Sequence, residues 1–207
     1  QLEVADYDRI HLVGTAQLLL VQEHEKASAV SAVTISGEPQ SLRNLVIESS
    51  DGVLYIDTGE NQHVDNIAIS LNVKELKELF SRGYSLVEAD GLSAQSLALE
   101  SHGGGHIDIR HLEATDLTVV GEGASKFSVS GAVKNQYVDL HGAGVYEAQG
   151  LASQTSQVNV RGSSQVALWV ADMLDVSVFG NASIIYSGRP WVQQRMLGTG
   201  VIYPAGQ

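Results

Sequence analysis

The sequence predicts an all-β fold: a single-stranded parallel β-helix, or β-solenoid, of about 18–21 residues per turn, preceded by a less regular strand-rich N-terminal part. Three observations carry this. The chain holds 21 glycines against 3 prolines, with abundant Val, Leu, Ile, Ser and Ala, the composition of many short strands joined by tight bends. A small tag, glycine followed two residues on by Gly, Ser or Ala, recurs at Gly83, Gly103, Gly121, Gly142, Gly162, Gly180 and Gly198, at spacings of 20, 18, 21, 20, 18 and 18 residues. Aliphatic residues alternate with polar ones in phase with the tag, four and two positions ahead of the glycine, as in Leu117/Val119, Val138/Leu140, Val158/Val160 and Val176/Val178. That period of two puts one face inward and one outward.

After most tags a second inward pair follows, as in Val87/Ala89, Ile107/Ile109, Tyr146/Ala148, Val166/Leu168 and Ile184/Tyr186. Each unit reads as strand, small-residue bend, strand, turn. One such unit cannot bury its apolar face alone, but stacked units bury a continuous column. Glycine suits the bend because it accepts positive φ and lets backbones crowd together.

The elements ahead of the repeat are strands over residues 9–13, 17–22, 29–36 and 66–73, and a hairpin over residues 44–57 that turns at Asp51-Gly52. Gly14-Thr15-Ala16 has the form of the repeat tag and marks an early turn. The Leu76, Leu79, Phe80 spacing suggests a short helix over residues 74–80, whereas the repeat phase puts Leu79 in a strand. Two parts follow: residues 1–74, continuous with the solenoid, and residues 75–207, the repeat with a C-terminal cap. A solenoid end exposes strand edges and an open core unless covered. Arg189-Pro190-Trp191 and residues 201–204 are the expected cover, with an aromatic ligand platform as the alternative.

Acidic residues outnumber basic ones 24 to 12, a formal charge of −12, which repels phosphate backbones and excludes nucleic acid as a natural partner. No cysteine is present to form disulfides, thiolate metal sites or thiol nucleophiles. The longest aliphatic run, Leu18 to Val21, is far short of the roughly 20 residues of a membrane span. The chain opens at Gln1 rather than Met, so it is read as processed or trimmed, with room for a removed export signal.

The densest polar cluster is His102, His106, Asp108, Arg110 and His111. Imidazoles and a carboxylate are zinc ligands, yet with Ile107 and Ile109 inward the polar residues lie outward along one strand, spaced for a solvated face. No metal or cofactor is expected. β-Helices also host polysaccharide-cleaving enzymes that need clustered carboxylates, but Glu100, Asp108, Asp116, Glu122 and Asp139 are scattered over different turns, and no nucleophile elbow or phosphate loop is present. No catalytic residue is assigned. Val120, Phe179 and Leu197 are read as outward apolar residues just ahead of the bend, a candidate interface for a homo-oligomer such as a side-by-side trimer. Trp169, Trp191 and Tyr203 are the candidates for stacking on carbohydrate.

The Asp51-Gly52-Val53-Leu54-Tyr55-Ile56 hairpin strand, the Glu75-Leu76 segment before the first tag, and the repeating aliphatic-x-aliphatic-x-Gly pattern ending at Tyr186-Ser187-Gly188-Arg189-Pro190 together resemble the auto-transporter adhesin head, or head GIN-domain, family of bacterial exported proteins. The resemblance spans nearly the whole chain. Gly162-Ser163-Ser164 and Gly180-Asn181-Ala182 depart from it by lacking a second glycine, and Trp169-Val-Ala-Asp-Met is bulkier than a typical repeat. It implies a β-helix exported to the periplasm or cell surface, with an adhesive or structural role toward a cell-surface glycan or envelope protein, and it supplies no catalytic residues. A polysaccharide-binding or polysaccharide-degrading β-helix is the alternative reading.

Overall fold

The computed structural model describes residues 2–22, 31–59 and 67–206. Its strands are β1 (Leu2–Val4), β2 (Arg9–Gly14), β3 (Gln17–Gln22), β4 (Ser31–Gly37), β5 (Val46–Ser50), β6 (Val53–Asp57), β7 (Ile67–Val73), β8 (Glu78–Gly83), β9 (Leu86–Asp90), β10 (Ser93–Gly103), β11 (His106–Gly123), β12 (Lys126–Gly142), β13 (Val145–Gly162), β14 (Gln165–Gly180), β15 (Ser183–Gly188), β16 (Trp191–Gly198) and β17 (Val201–Pro204), with a 3₁₀ turn at Ser41–Asn44. The strands stack as parallel coils of a β-solenoid. In each coil the segment ahead of the glycine bend belongs to a leading sheet, and the segment after it to a trailing sheet. β11 to β14 are long because each starts in the trailing sheet, rounds a corner and enters the leading sheet of the next coil. In β11 that corner is His111, at a φ of 54°, where the register to β12 shifts.

Gly14, Gly83, Gly103, Gly123, Gly142, Gly162, Gly180 and Gly198 are in register and form the bend column. Gly121, expected as a bend, is not in it. It faces the core between Ser101 and Leu140, where a Cβ would come within 2.8 Å of Leu140 Cδ2 and 3.0 Å of Phe127 Cε2. The bend of that coil is Gly123, at a φ of +83°. Glycine at 121 makes room for two bulky neighbours, and the tag in the sequence imitates a bend because both glycines share the same period-two phase.

The inward columns are aliphatic. Ile10, Leu79, Leu99, Val119, Val138, Val158 and Val176 succeed one another along the axis, each fully buried. Burying one such side chain stabilises the fold by roughly 1.5–3 kcal/mol, so columns of this kind hold neighbouring coils together. The neighbouring inward column turns polar at Gln136 and Ser156, between Leu117 and Leu174, and a buried network forms there: Tyr146 donates to Gln136 Oε1 (2.8 Å), Gln136 Nε2 donates to Ser153 Oγ (2.8 Å), and Ser153 donates to the Trp169 carbonyl (2.7 Å).

The N-terminal strands join the same stack, out of chain order. β2 pairs in parallel with β6 on one side and β8 on the other, and β3 likewise sits between β7 and β9. The chain thus lays down an inner coil, wraps an outer one, and returns past the first. Gly14 is accordingly a true member of the bend column. The strands expected over residues 29–36 and 66–73 are found as β4 and β7, with residues 29, 30 and 66 outside the described part. The expected hairpin is β5–β6, antiparallel, turning through Asp51 (φ 52°) and Gly52 (φ 76°), both left-handed as a type I′ turn requires. No helix forms over residues 74–80: Leu79 packs in the core column from β8, because alignment with Ile10 and Leu99 outweighs a local helical spacing.

At the C-terminal end the residues expected as a cover instead continue the ladder. β16 pairs with β14 and β17 with β15, both in parallel, leaving Trp191 63% exposed. Pro190 merely precedes β16, where the missing amide proton costs no ladder bond.

Candidate functional site

Outward residues of the leading sheet form continuous rows, because parallel in-register coils place equivalent side chains about 4.8 Å apart. In its N-terminal half lies an aromatic and imidazole stripe. His11 meets Tyr55 edge-on at 5.2 Å and Phe80 at 5.3 Å; Phe80 meets His102 at 5.2 Å, and the Arg82 guanidinium lies 5.5 Å over the Phe80 ring. Carboxylates pin the imidazoles: Glu78 is 2.8 Å from His11 Nε2, while His102 is held by Glu100 at Nε2 (2.5 Å) and Glu122 at Nδ1 (3.1 Å).

Farther along, the rows become a polar ladder. Asn135 Nδ2 donates to Asp116 Oδ1 (2.8 Å), and Thr155 Oγ1 donates to Asn135 Oδ1 (2.8 Å). Beside them Asn159 donates to the Tyr137 hydroxyl (3.1 Å), and His141 sits 3.0 Å from Asp139. Asp116, Thr118, Asn135, Tyr137, Gln157 and Met173 line a groove of about 330 Å³ across four successive coils. That volume is at the small end of ligand-binding clefts. Side chains bonded to one another across coils cannot swing freely, so donors and acceptors are presented at fixed positions.

The trailing sheet is more dispersed. His106 bonds Ser128 Oγ at 3.1 Å, and its imidazole is pushed below the ordinary histidine value by burial first and by Lys126 second. Lys126, 2.9 Å from Glu147, holds that carboxyl below the usual range. At the corner His111 contacts Asp90 at 2.7 Å and lowers its carboxyl likewise.

The five residues of the polar cluster are therefore distributed: His102 on the leading sheet, His106, Asp108 and Arg110 on the trailing sheet, His111 at the corner. Among the described residues no group of three or more His, Cys, Asp or Glu side chains converges as metal ligands. Asp108 and Asp139 lie on different sheets and do not pair. The aromatic candidates also separate. Trp191 continues the Asp116–Asn135–Thr155–Met173 row, Tyr203 follows Ile185 on the trailing sheet, and half-buried Trp169 lies beside Ser187. Phe179 (40% exposed) and Leu197 (55%) are row neighbours, but Val120 belongs to the next row, between Glu100 and Asp139, because its bend is Gly123. The three do not form one patch.

Sequence reasoning passed over His11, Phe80, Asn135 and Tyr137, and met Asp116 only as one of several scattered carboxylates. Their signal is a constant offset from the true bend glycine: three positions ahead for His11 and Phe80, five for Tyr137, seven for Asp116 and Asn135.

Comparison with known proteins adds the following. The pattern of the family described as "Putative auto-transporter adhesin, head GIN domain" matches residues 6–190. No curated protein is similar to the chain. Among solved structures, one named as a putative adhesin from Bacteroides fragilis NCTC 9343 superposes with a TM-score of 0.89 at 21% identity, covering 97% of this chain and 93% of its own. One named as a putative lipid binding protein from Parabacteroides distasonis ATCC 8503 has a TM-score of 0.79 at 19% identity, covering 99% and 94%. A putative adhesin from Parabacteroides merdae ATCC 43184 has a TM-score of 0.67 at 17% identity, covering 99% and 94%. At these identities the likeness is one of fold.

Proposed function

Because the chain belongs to the auto-transporter adhesin head GIN-domain family, we propose that it acts as a non-enzymatic, exported, adhesin-like protein of the bacterial envelope, with the leading sheet as its contact surface. The observation that carries this is the ladder itself: polar and aromatic side chains fixed by mutual hydrogen bonds and ring contacts along one rigid face. Such a surface suits a hydroxyl-rich chain, whose donors and acceptors repeat as those of the coils do. A formal charge of −12 favours neutral or amino-bearing glycans over acidic ones. Binding of the purified chain to an array of envelope and host-surface glycans tests it. Tyr137→Ala and Asn135→Ala should weaken binding about tenfold, the loss of one or two good hydrogen bonds, with circular dichroism unchanged. Binding that ignores both substitutions, or no binding to any glycan or envelope partner, removes the support.

A second reading rests on a cleft of about 270 Å³ between β3, β4 and β7, lined by Leu19, Ala68, Leu86 and Thr34 and mainly apolar. With one structural neighbour named a lipid binding protein, an acyl chain is its natural occupant. A fluorescent fatty acid that binds the protein and is released by Leu19→Asp supports this reading; failure to bind ends it.

A further inference from the structure

We infer that the two ends of the solenoid are complementary and that a second copy of this chain docks head to tail, its β5 edge laid antiparallel along the β16 edge of the first. Among the described residues β5 is paired only with β6, and β16 only with β14, so each leading-sheet end shows an unsatisfied row of backbone donors and acceptors. The trailing sheet ends in the same way, on β17 at one end and β1 at the other.

Register decides the match. The inter-strand pairings define columns that run the length of the leading sheet, and β5 and β16 are the two termini of the same columns. Glu48 heads the row that passes through Tyr55, His11 and Phe80 and finishes at Arg195. Val46 heads the row that finishes at Leu197. Ile47 heads the inward row that finishes at Met196, and Ser49 and Ser50 head those that finish at Gln194 and Gln193. Continuing the columns from one copy into the next therefore places acid on base, apolar on apolar and polar on polar at all these positions. β5 runs opposite to β6, so the new pair is antiparallel, with Val46 (49% exposed) over Leu197 (55%) and half-buried Ile47 over half-buried Met196. Cross-strand pairs of these kinds are the stabilising unit of an antiparallel ladder.

Charge points the same way. After Asp175 the sequence has Arg189 and Arg195 and no acidic residue, whereas residues 38–57 carry Glu38, Glu48, Asp51 and Asp57 against Arg43. Two C-terminal ends meeting each other would oppose arginine to arginine. An N-terminal end meeting a C-terminal end attracts, and because that contact is heterologous and carries the columns on along the solenoid axis, it repeats into an open series rather than turning back into a ring.

Sedimentation of the full chain over a range of concentrations tests this. The expected result is a mass that rises beyond the dimer with concentration and falls with added salt. Glu48→Arg and Arg195→Glu, both at exposed positions, should each weaken association about tenfold or more through one repulsive pair. The double variant, or an equimolar mixture of the two single variants, should recover it, and circular dichroism should be unchanged throughout. Monomers at every concentration, a mass that stops at two copies, or a double variant no better than the singles would overturn the inference.

Discussion

A Cβ built on Gly162 would lie 2.3 Å from the carbonyl oxygen of Gly142, the glycine stacked beneath it in the bend column. The obstacle is backbone, which cannot yield as a flexible side chain does, and Gly162 has a φ of +125°. Gly162→Ala should therefore destabilise the protein by about 3 kcal/mol. Gly91 also has positive φ (74°) but open space where its Cβ would stand, so Gly91→Ala should cost only about 1 kcal/mol. Chemical denaturation of both variants checks the ordering, and equal losses would contradict it.

Tyr146 is fully buried and donates to Gln136 Oε1, itself inside the core. Removing the hydroxyl in Tyr146→Phe leaves a buried amide oxygen unpaired, at a cost of about 1–3 kcal/mol. Replacing both groups, as Tyr146→Phe with Gln136→Leu, removes donor and acceptor together and should cost less than the two single losses summed. A thermodynamic cycle measured by urea denaturation gives the coupling, and strict additivity would mean that the bond contributes nothing.

His106 takes up a proton less readily in the folded chain than at its ordinary value of 6.5, because burial and then Lys126 disfavour the cation, against smaller opposing effects of Asp108, Glu147 and Glu88. In the window below 6.5 the unfolded chain binds more protons at this site, so the contribution of His106 to stability rises with pH and levels off above it. Compared with His106→Asn, the wild-type melting temperature should gain between about pH 5 and 7, where histidine titrates. A difference between the two proteins that stays constant over this range would show that the site does not titrate as described.

β2 lies near the start of the chain yet is sandwiched between β6 and β8, with Ile10 and Leu12 fully buried. Its amides should exchange with solvent as slowly as those of the central coils, whereas those of β5, an edge strand among the described residues, should exchange early. Leu12→Ala should cost about 2–5 kcal/mol, as expected for a large-to-small change in a closed core. Hydrogen–deuterium exchange with mass spectrometry checks the first expectation and thermal melts the second.

The sequence alone determined the class of fold, because a parallel solenoid writes its inward columns as period-two alternation in phase with small bend residues. Leu99, Val138, Val158 and Val176 all declare themselves in this way. It also determined the β5–β6 turn, since Asp51-Gly52 is among the few pairs able to hold two left-handed residues. The tertiary structure alone decided which of Gly121 and Gly123 bends the chain: both fit the alternation, and only packing against Leu140 and Phe127 separates them. It alone placed β2 between β6 and β8, since the order in which coils stack is set by contacts far apart in the chain. The candidate face and the matching of Glu48 to Arg195 follow from that stacking. A row of side chains across coils is a property of inter-strand register, and register has no local signature.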